Sequence, residues 1–206
     1  MRPLGAYLRR RFGGVVLWDH PGWLDSLPNN QQALRQFVSS LPPTTADRRR
    51  ESKPSIAFVS HSFGDWIVRD TIAALPQLNV THVASIAPVV RSNRASKMAA
   101  WVVGDRIDEI AVMRRDAIAS AHLRLPRSTR HLTLWAKLDC WVTRRDGCSP
   151  QTIDQTVWAT HNTAPMHPGV MVSIEQFLRC QSVQHRRPVP AAQRTYEPAL
   201  ARTAAE

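Results

Sequence analysis

Short apolar runs alternate with amphipathic segments along this chain. The apolar runs predict strands over residues 15–20, 56–60, 82–88, 131–138 and 156–160. Apolar residues at helical spacing predict helices over 3–12, 29–41, 64–75 and 168–180. Strands that alternate with helices are typical of an α/β domain with a mainly parallel sheet. We therefore predict a mainly parallel sheet flanked by helices, in one domain over residues 1–180.

Two further segments are assigned from their composition. Residues 92–120 carry apolar side chains at mixed, largely helical spacing. Residues 181–206 are rich in proline and alanine and hold few side chains that could be buried, so we predict a disordered tail there.

The net charge of +11 comes almost wholly from arginine. A large excess of positive charge can favour binding to polyanions such as nucleic acid. Because the arginines are scattered in short runs, however, we interpret them as a solvated surface and predict no nucleic-acid partner. The three cysteines lack the paired short spacings of zinc sites. No apolar run approaches the roughly 20 residues that span a bilayer, and the first residues do not resemble a signal peptide. The expectation is a cytoplasmic protein without stable membrane insertion.

A turn of small and polar residues follows the strand predicted at 56–60. Residues 60–64 read Ser-His-Ser-Phe-Gly, one residue away from G-x-S-x-G, in which a serine sits on a strained strand-to-helix corner with its hydroxyl exposed. The strand and helix beside such a corner pass close together, so small residues are expected two positions before and after the serine. Ser60 and Gly64 meet this expectation, and Ser62 is the predicted nucleophile.

With this turn, the sequence resembles the α/β-hydrolases, specifically their lipase and esterase branch, over about residues 4–180. Two positions differ from the family pattern, because Ser60 replaces the usual glycine and Asp65 replaces a second glycine that lipases often carry. The resemblance implies an α/β-hydrolase-like sheet and a nucleophile, acid and histidine in that chain order. It implies no metal and no cofactor.

The acid and the histidine are expected at the carboxyl ends of later strands. Asp139 directly follows the strand predicted at 131–138, in a stretch similar to the family's D-x-x-V, and Asp146 is the alternative acid. His161 follows the last short strand and precedes a terminal helix, much as in bacterial triacylglycerol-lipase-like proteins. His167 is the alternative base, and would otherwise cap the final helix.

Residues beside the predicted nucleophile have their own expected roles. The resemblance implies that the N–H of Phe63 donates to the oxyanion. His61 is predicted to be structural, facing into the packed layer between strand and helix. His82 and Trp135 are predicted to belong to the core or its edge.

One strand of the family pattern has no counterpart in the sequence. In the family it lies between the strands predicted here at 15–20 and 56–60, and its following His-Gly loop donates a second N–H to the oxyanion. Nothing before Leu4 can form it, so we predict a sheet that is short at its N-terminal side. A start residue assigned too late, direct pairing of the two remaining strands, and a decayed relative are the open explanations.

The predicted function is a small serine hydrolase of carboxylic esters, with small esters or acyl lipids as substrates. The alternative is a non-catalytic or truncated α/β-hydrolase-like binding protein. A third hypothesis is association with nucleic acid or anionic membranes through the arginines. The oligomeric state is left open by the sequence.

Overall fold

The computed structural model describes residues 1–18, 26–41, 55–89, 125–142 and 152–180. Within them, four strands form one sheet in sequential order, and every neighbouring pair is parallel. The strands are β1 (Ser55–His61), β2 (Asn79–Ile86), β3 (Arg130–Ala136) and β4 (Thr152–Val157). The helices are α1 (Arg2–Arg9), α2 (Leu27–Ser40), α3 (Gly64–Ala74) and α4 (Pro168–Arg179). The predicted class, a parallel sheet flanked by helices, is confirmed.

Helices cover both faces of the sheet. One face packs against α1 and α4, in a buried cluster that contains Leu4, Ile86, Leu134, Val170 and Ile174. The other face packs against α2 and α3, in a cluster that contains Leu34, Ile67, Val83 and Trp135. Successive side chains of a strand point to opposite faces, which is why Leu134 and its neighbour Trp135 lie in different clusters.

The strand register aligns the carboxyl ends of the strands. His61 is level with Ile86, Ile86 with Leu134, and Ala136 with Val157. The residues that follow β1, β3 and β4 therefore emerge at one edge of the sheet, the edge at which open parallel sheets carry their sites.

The strand predicted over residues 15–20 is wrong for the part of it that is described. Residues 15–18 have no strand conformation, and Val16 is 59% exposed. An apolar run becomes a strand only when a neighbour completes its hydrogen-bond ladder, and within the described residues β1 pairs with β2 alone. Direct pairing of residues 15–18 with β1, one of the open explanations for the short sheet, is thereby excluded.

The last strand lies earlier in the chain than predicted. The pattern favoured 156–160, whereas β4 spans Thr152–Val157, and Trp158 beyond it is 68% exposed. The residues of β4 are half-buried or exposed, and its sequence is largely polar. The pattern of apolar residues therefore does not predict where this strand begins. The predictions for 92–120 and for the tail at 181–206 lie outside the described residues.

No helix in the described parts of the chain is both long enough and apolar enough to cross a lipid bilayer.

Candidate active site

Ser62 occupies a strained corner between β1 and α3. Its φ is 54°, a left-handed value that it shares with Ala87 among the described non-glycine residues, and such backbone costs about 1–3 kcal/mol. The corner is held from two sides, because the N–H of Ser62 donates to the carbonyl of Ile86 at 2.9 Å and its own carbonyl accepts from the N–H of Asp65 at 3.1 Å. This conformation is the one that the turn motif predicted.

Three predicted site residues meet at the carboxyl edge of the sheet. The Oγ of Ser62 lies 2.8 Å from Nε2 of His161, and Nδ1 of His161 lies 2.7 Å from Oδ2 of Asp139. A carboxylate only accepts hydrogen bonds, so Nδ1 carries a proton, and in the neutral form of the ring Nε2 is then the acceptor for the serine hydroxyl. A serine with this hydrogen-bonded, oriented imidazole has the arrangement of an activated nucleophile.

Asp139 is oriented by the turn that follows β3. Its Oδ1 accepts from the N–H groups of Trp141 at 2.8 Å and Val142 at 2.9 Å, which is a common local turn for aspartate. Burial raises the pKa of Asp139, but the hydrogen bonds from His161, Val142 and Trp141 outweigh burial, and the pKa lies below its usual range. Asp139 is therefore a carboxylate at neutral pH, free to hold His161 through its second oxygen.

The two alternative site residues have different positions. His167 is the N-cap of α4, where its Nδ1 accepts from the N–H of Gly169 at 3.1 Å. A Cβ at position 169 would lie 3.1 Å from that ring, so glycine leaves room for the cap. Asp146 lies outside the described residues.

A buried polar network lies beneath the nucleophile. Oδ1 of Asp65 accepts from the hydroxyls of Ser60 at 3.0 Å and Ser85 at 2.5 Å, while Oδ2 accepts from Nε of Arg69 at 2.7 Å. Asp65 is 2% exposed. Burial raises its pKa, yet Arg69 and the Ser85 hydroxyl lower it more, so the net pKa is below its usual range. The two departures from the family pattern, at positions 60 and 65, are thus hydrogen-bonded to each other.

His131 belongs to the same network. Its Nε2 lies 2.9 Å from the hydroxyl of Ser85 and 3.1 Å from Arg69. Burial, followed by the positive charge of Arg69, lowers the pKa of His131 to about 4. The imidazole is therefore neutral at physiological pH.

The sequence predicts that His61 faces into the packed layer between β1 and α3. In the structure, its ring also contacts His161. Its Nε2 lies 2.9 Å from the carbonyl oxygen of His161, and the two ring centroids are 4.9 Å apart. Sequence reasoning missed this contact, because it joins residues almost a hundred positions apart. Its only local signal was a histidine directly before the predicted nucleophile.

The N–H of Phe63 lies at the start of α3, where main-chain N–H groups have no partner inside the helix. The Phe63 side chain is buried and stacks on Trp66 with 5.6 Å between ring centroids. This anchoring fixes the residue after Ser62. The expected crowding at Gly64 is not found, since an added Cβ there would meet no atom within 4 Å.

A cavity of about 970 Å³ extends along the whole of β1. Its walls include residues 16–18, the α2 side chains Leu34, Phe37 and Val38, and, beside Ser62, His61 and Gly64. The cavity therefore reaches His61 and Gly64, on either side of the corner, whereas Ser62 itself is not among its lining residues.

A metal centre is not assembled by the described residues, which contain no group of three or more His, Cys, Asp or Glu side chains placed to hold an ion.

Comparisons with known proteins give only distant structural likenesses. No family model matches the chain, and no curated protein does. A Pyrobaculum calidifontis esterase is 14% identical with a TM-score of 0.46, covering 84% of this chain and 67% of that one. An esterase from a marine microorganism is 12% identical with a TM-score of 0.42, covering 71% and 77%. An α/β-hydrolase from a sediment metagenome of the Mar Chica lagoon, Morocco, is 12% identical with a TM-score of 0.44, covering 78% and 73%. Likeness at this level says nothing about the reaction of this chain.

Proposed function

We propose that this chain is a serine hydrolase of the α/β-hydrolase type that cleaves carboxylic esters. The observation that supports it is the hydrogen-bonded series from Ser62 through His161 to Asp139, with the serine at positive φ. Strained backbone conformations of this kind cluster at functional sites.

In the proposed reaction, Ser62 Oγ attacks the ester carbonyl while its proton passes to Nε2 of His161. The carbonyl oxygen becomes an oxyanion that accepts from the N–H of Phe63. The imidazolium, stabilised by the Asp139 carboxylate, then protonates the departing alkoxide, and an acyl-enzyme remains. Water, deprotonated by His161, attacks the acyl carbon and releases the acid and Ser62.

The proposed substrates are esters with an apolar acyl group, acyl lipids among them. This choice is supported by the cavity along β1, whose lining includes the aliphatic and aromatic side chains of Leu34, Phe37, Val38 and Phe58. Among the described residues, Phe63 is the oxyanion donor that we assign.

The experiment that tests this proposal is labelling of the purified protein by a fluorophosphonate, which reacts with activated serines whatever their substrate. We expect labelling of the wild type and none of Ser62→Ala. His161→Ala should also abolish labelling, and Asp139→Asn should slow it by about 10⁴, the effect of losing the correct imidazole tautomer in such sites. A series of nitrophenyl esters then tests the preference for longer acyl chains.

The matched control for the histidine is His167→Ala, six residues away, which should be labelled like the wild type. Folded wild-type protein that resists labelling, or labelling that persists in Ser62→Ala, would contradict the proposal. The first of these outcomes would favour the non-catalytic binding protein instead.

A further inference from the structure

His61 joins the predicted nucleophile to the main chain of the predicted base. It precedes Ser62 directly in the chain, and its Nε2 lies 2.9 Å from the carbonyl oxygen of His161. The rings are in contact at 4.9 Å between centroids, tilted by 45°. A carbonyl oxygen can only accept, so this contact requires a proton on Nε2 of His61.

The surroundings of His61 keep it neutral. Burial is the main cause that lowers its pKa to about 4, and repulsion from the amino terminus, and from His161 whenever that ring is protonated, acts in the same direction. The hydrogen bond to the His161 carbonyl and the carboxylate of Asp139 act in the opposite direction but do not outweigh them. A neutral ring donates one hydrogen bond without adding a second positive charge beside the base.

The backbone of His161 needs such a partner because His161 lies beyond the end of β4, outside the sheet ladder. Its neighbours Thr160 and Thr163 bind each other at 2.8 Å between their hydroxyls, and the N–H of Ala164 donates to the carbonyl of Thr160 at 3.0 Å. The side chain of His161 contacts Ser62 and Asp139, while the contact between its main chain and β1 comes from His61.

We propose that His61 is a positioning residue that holds His161 at hydrogen-bond distance from Ser62 by donating to the His161 carbonyl. The inference rests on the proposed function, since it assigns a residue to the same site. Small displacements of a reacting group cost up to roughly 100-fold in rate, so loss of the donor should appear in the rate of the chemical step.

The test compares two substitutions of His61 in the whole chain. His61→Leu removes the donor at similar size, whereas His61→Gln offers an amide N–H at a similar reach. We expect His61→Leu to lower the maximal rate constant of fluorophosphonate labelling by roughly 10- to 100-fold, with little change in the probe concentration at half-maximal rate. His61→Gln should recover most of the rate.

The matched control is His82, a second buried histidine whose Nε2 lies 3.2 Å from a main-chain carbonyl, that of Cys180, at the opposite edge of the sheet. His82→Leu should lower stability without slowing labelling. A His61→Leu protein that is labelled at the wild-type rate overturns the inference. So does a loss that His61→Gln shares in full, or one that His82→Leu reproduces.

A second measurement does not depend on activity. ¹⁵N spectra of the imidazoles, assigned with the His61 variants, should show His61 neutral with its proton on Nε2 at pH 7, in the wild type and in Ser62→Ala. A charged ring or a proton on Nδ1 overturns the inference even where labelling proves the proposed function. If the spectra show the expected proton on Nε2 of His61 but the wild type is not labelled, the proposed function is rejected. His61 is then a structural contact without a positioning role.

Discussion

At the scale of single residues, Ser60 and Asp65 depend on each other. Taken separately, each departs from the esterase pattern, but the Ser60 hydroxyl donates to the Asp65 carboxylate at 3.0 Å. Asp65 also neutralises Arg69, whose side chain is 13% exposed. Ser60 and Asp65 thus form an interaction that neither residue would make if the other were glycine.

We expect Asp65→Ala to lower the free energy of unfolding by about 3–5 kcal/mol, because it leaves the Arg69 guanidinium largely buried without its carboxylate. Ser60→Gly removes one hydrogen bond and should cost about 1 kcal/mol. Urea denaturation followed by circular dichroism measures both values. The double variant should cost less than the sum, since the two residues interact.

The control for Asp65 is Asp70→Ala on the same helix. Asp70 pairs with Arg35 at 2.6 Å, where the arginine side chain is 39% exposed, and pairs that reach solvent contribute at most about 1 kcal/mol. An Asp65→Ala protein no less stable than Asp70→Ala would show that the buried network does not stabilise the corner.

The sequence could identify residues of the candidate site that follow a strand end directly. Ser62, Asp139 and His161 each come at or shortly after the carboxyl end of a strand, where a parallel sheet brings side chains together. Their catalytic roles stay predictions. The network around Asp65 and the contact of His61 could not be foreseen, because their partners are set by tertiary packing between distant segments.

At the scale of elements, the role of His167 as the N-cap of α4 can be tested separately from its alternative role as the catalytic base. His167→Ala removes the acceptor for the N–H of Gly169 at the start of α4. Loss of an N-cap costs about 1 kcal/mol, so we expect a lower midpoint of thermal unfolding with unchanged labelling of Ser62. His167→Asn, which can also cap, should recover the stability. Slower labelling of folded His167→Ala would contradict this assignment.

Elements with a strong period were predicted well, and those that depend on a neighbour were not. The helix prediction for 29–41 matches α2 at Leu27–Ser40, and β1 and β2 were found from their apolar runs, which are half-buried in β1 and buried in β2. Residues 15–18 have no strand conformation, and 16–18 line a cavity. β4 lies at the sheet edge and has a largely polar sequence. Apolar content reports burial, whereas strand formation also needs a paired backbone.

At the scale of the whole molecule, two neutral and half-buried histidines predict that the protein loses stability in mild acid. His61 and His131 have pKa values lowered to about 4 in the folded state, in both cases mainly by burial. In the unfolded chain they return to about 6.5. Between these values the unfolded state binds more protons, so the free energy of unfolding must fall as pH decreases from about 6.5 toward 4.

The expected loss approaches roughly 3 kcal/mol per histidine over the full interval, and urea denaturation at pH 7.5, 6 and 5 measures it. His131→Gln and His61→Gln should each flatten the pH dependence, because each removes one group that titrates differently in the two states.

The net charge of +11 offers a rival cause, since further protonation increases self-repulsion. Repeating the series in 1 M salt separates the two, because salt screens repulsion among exposed charges but leaves the burial of the histidines unchanged. A pH dependence that disappears in high salt, or that survives in the double variant, would contradict the assignment to His61 and His131.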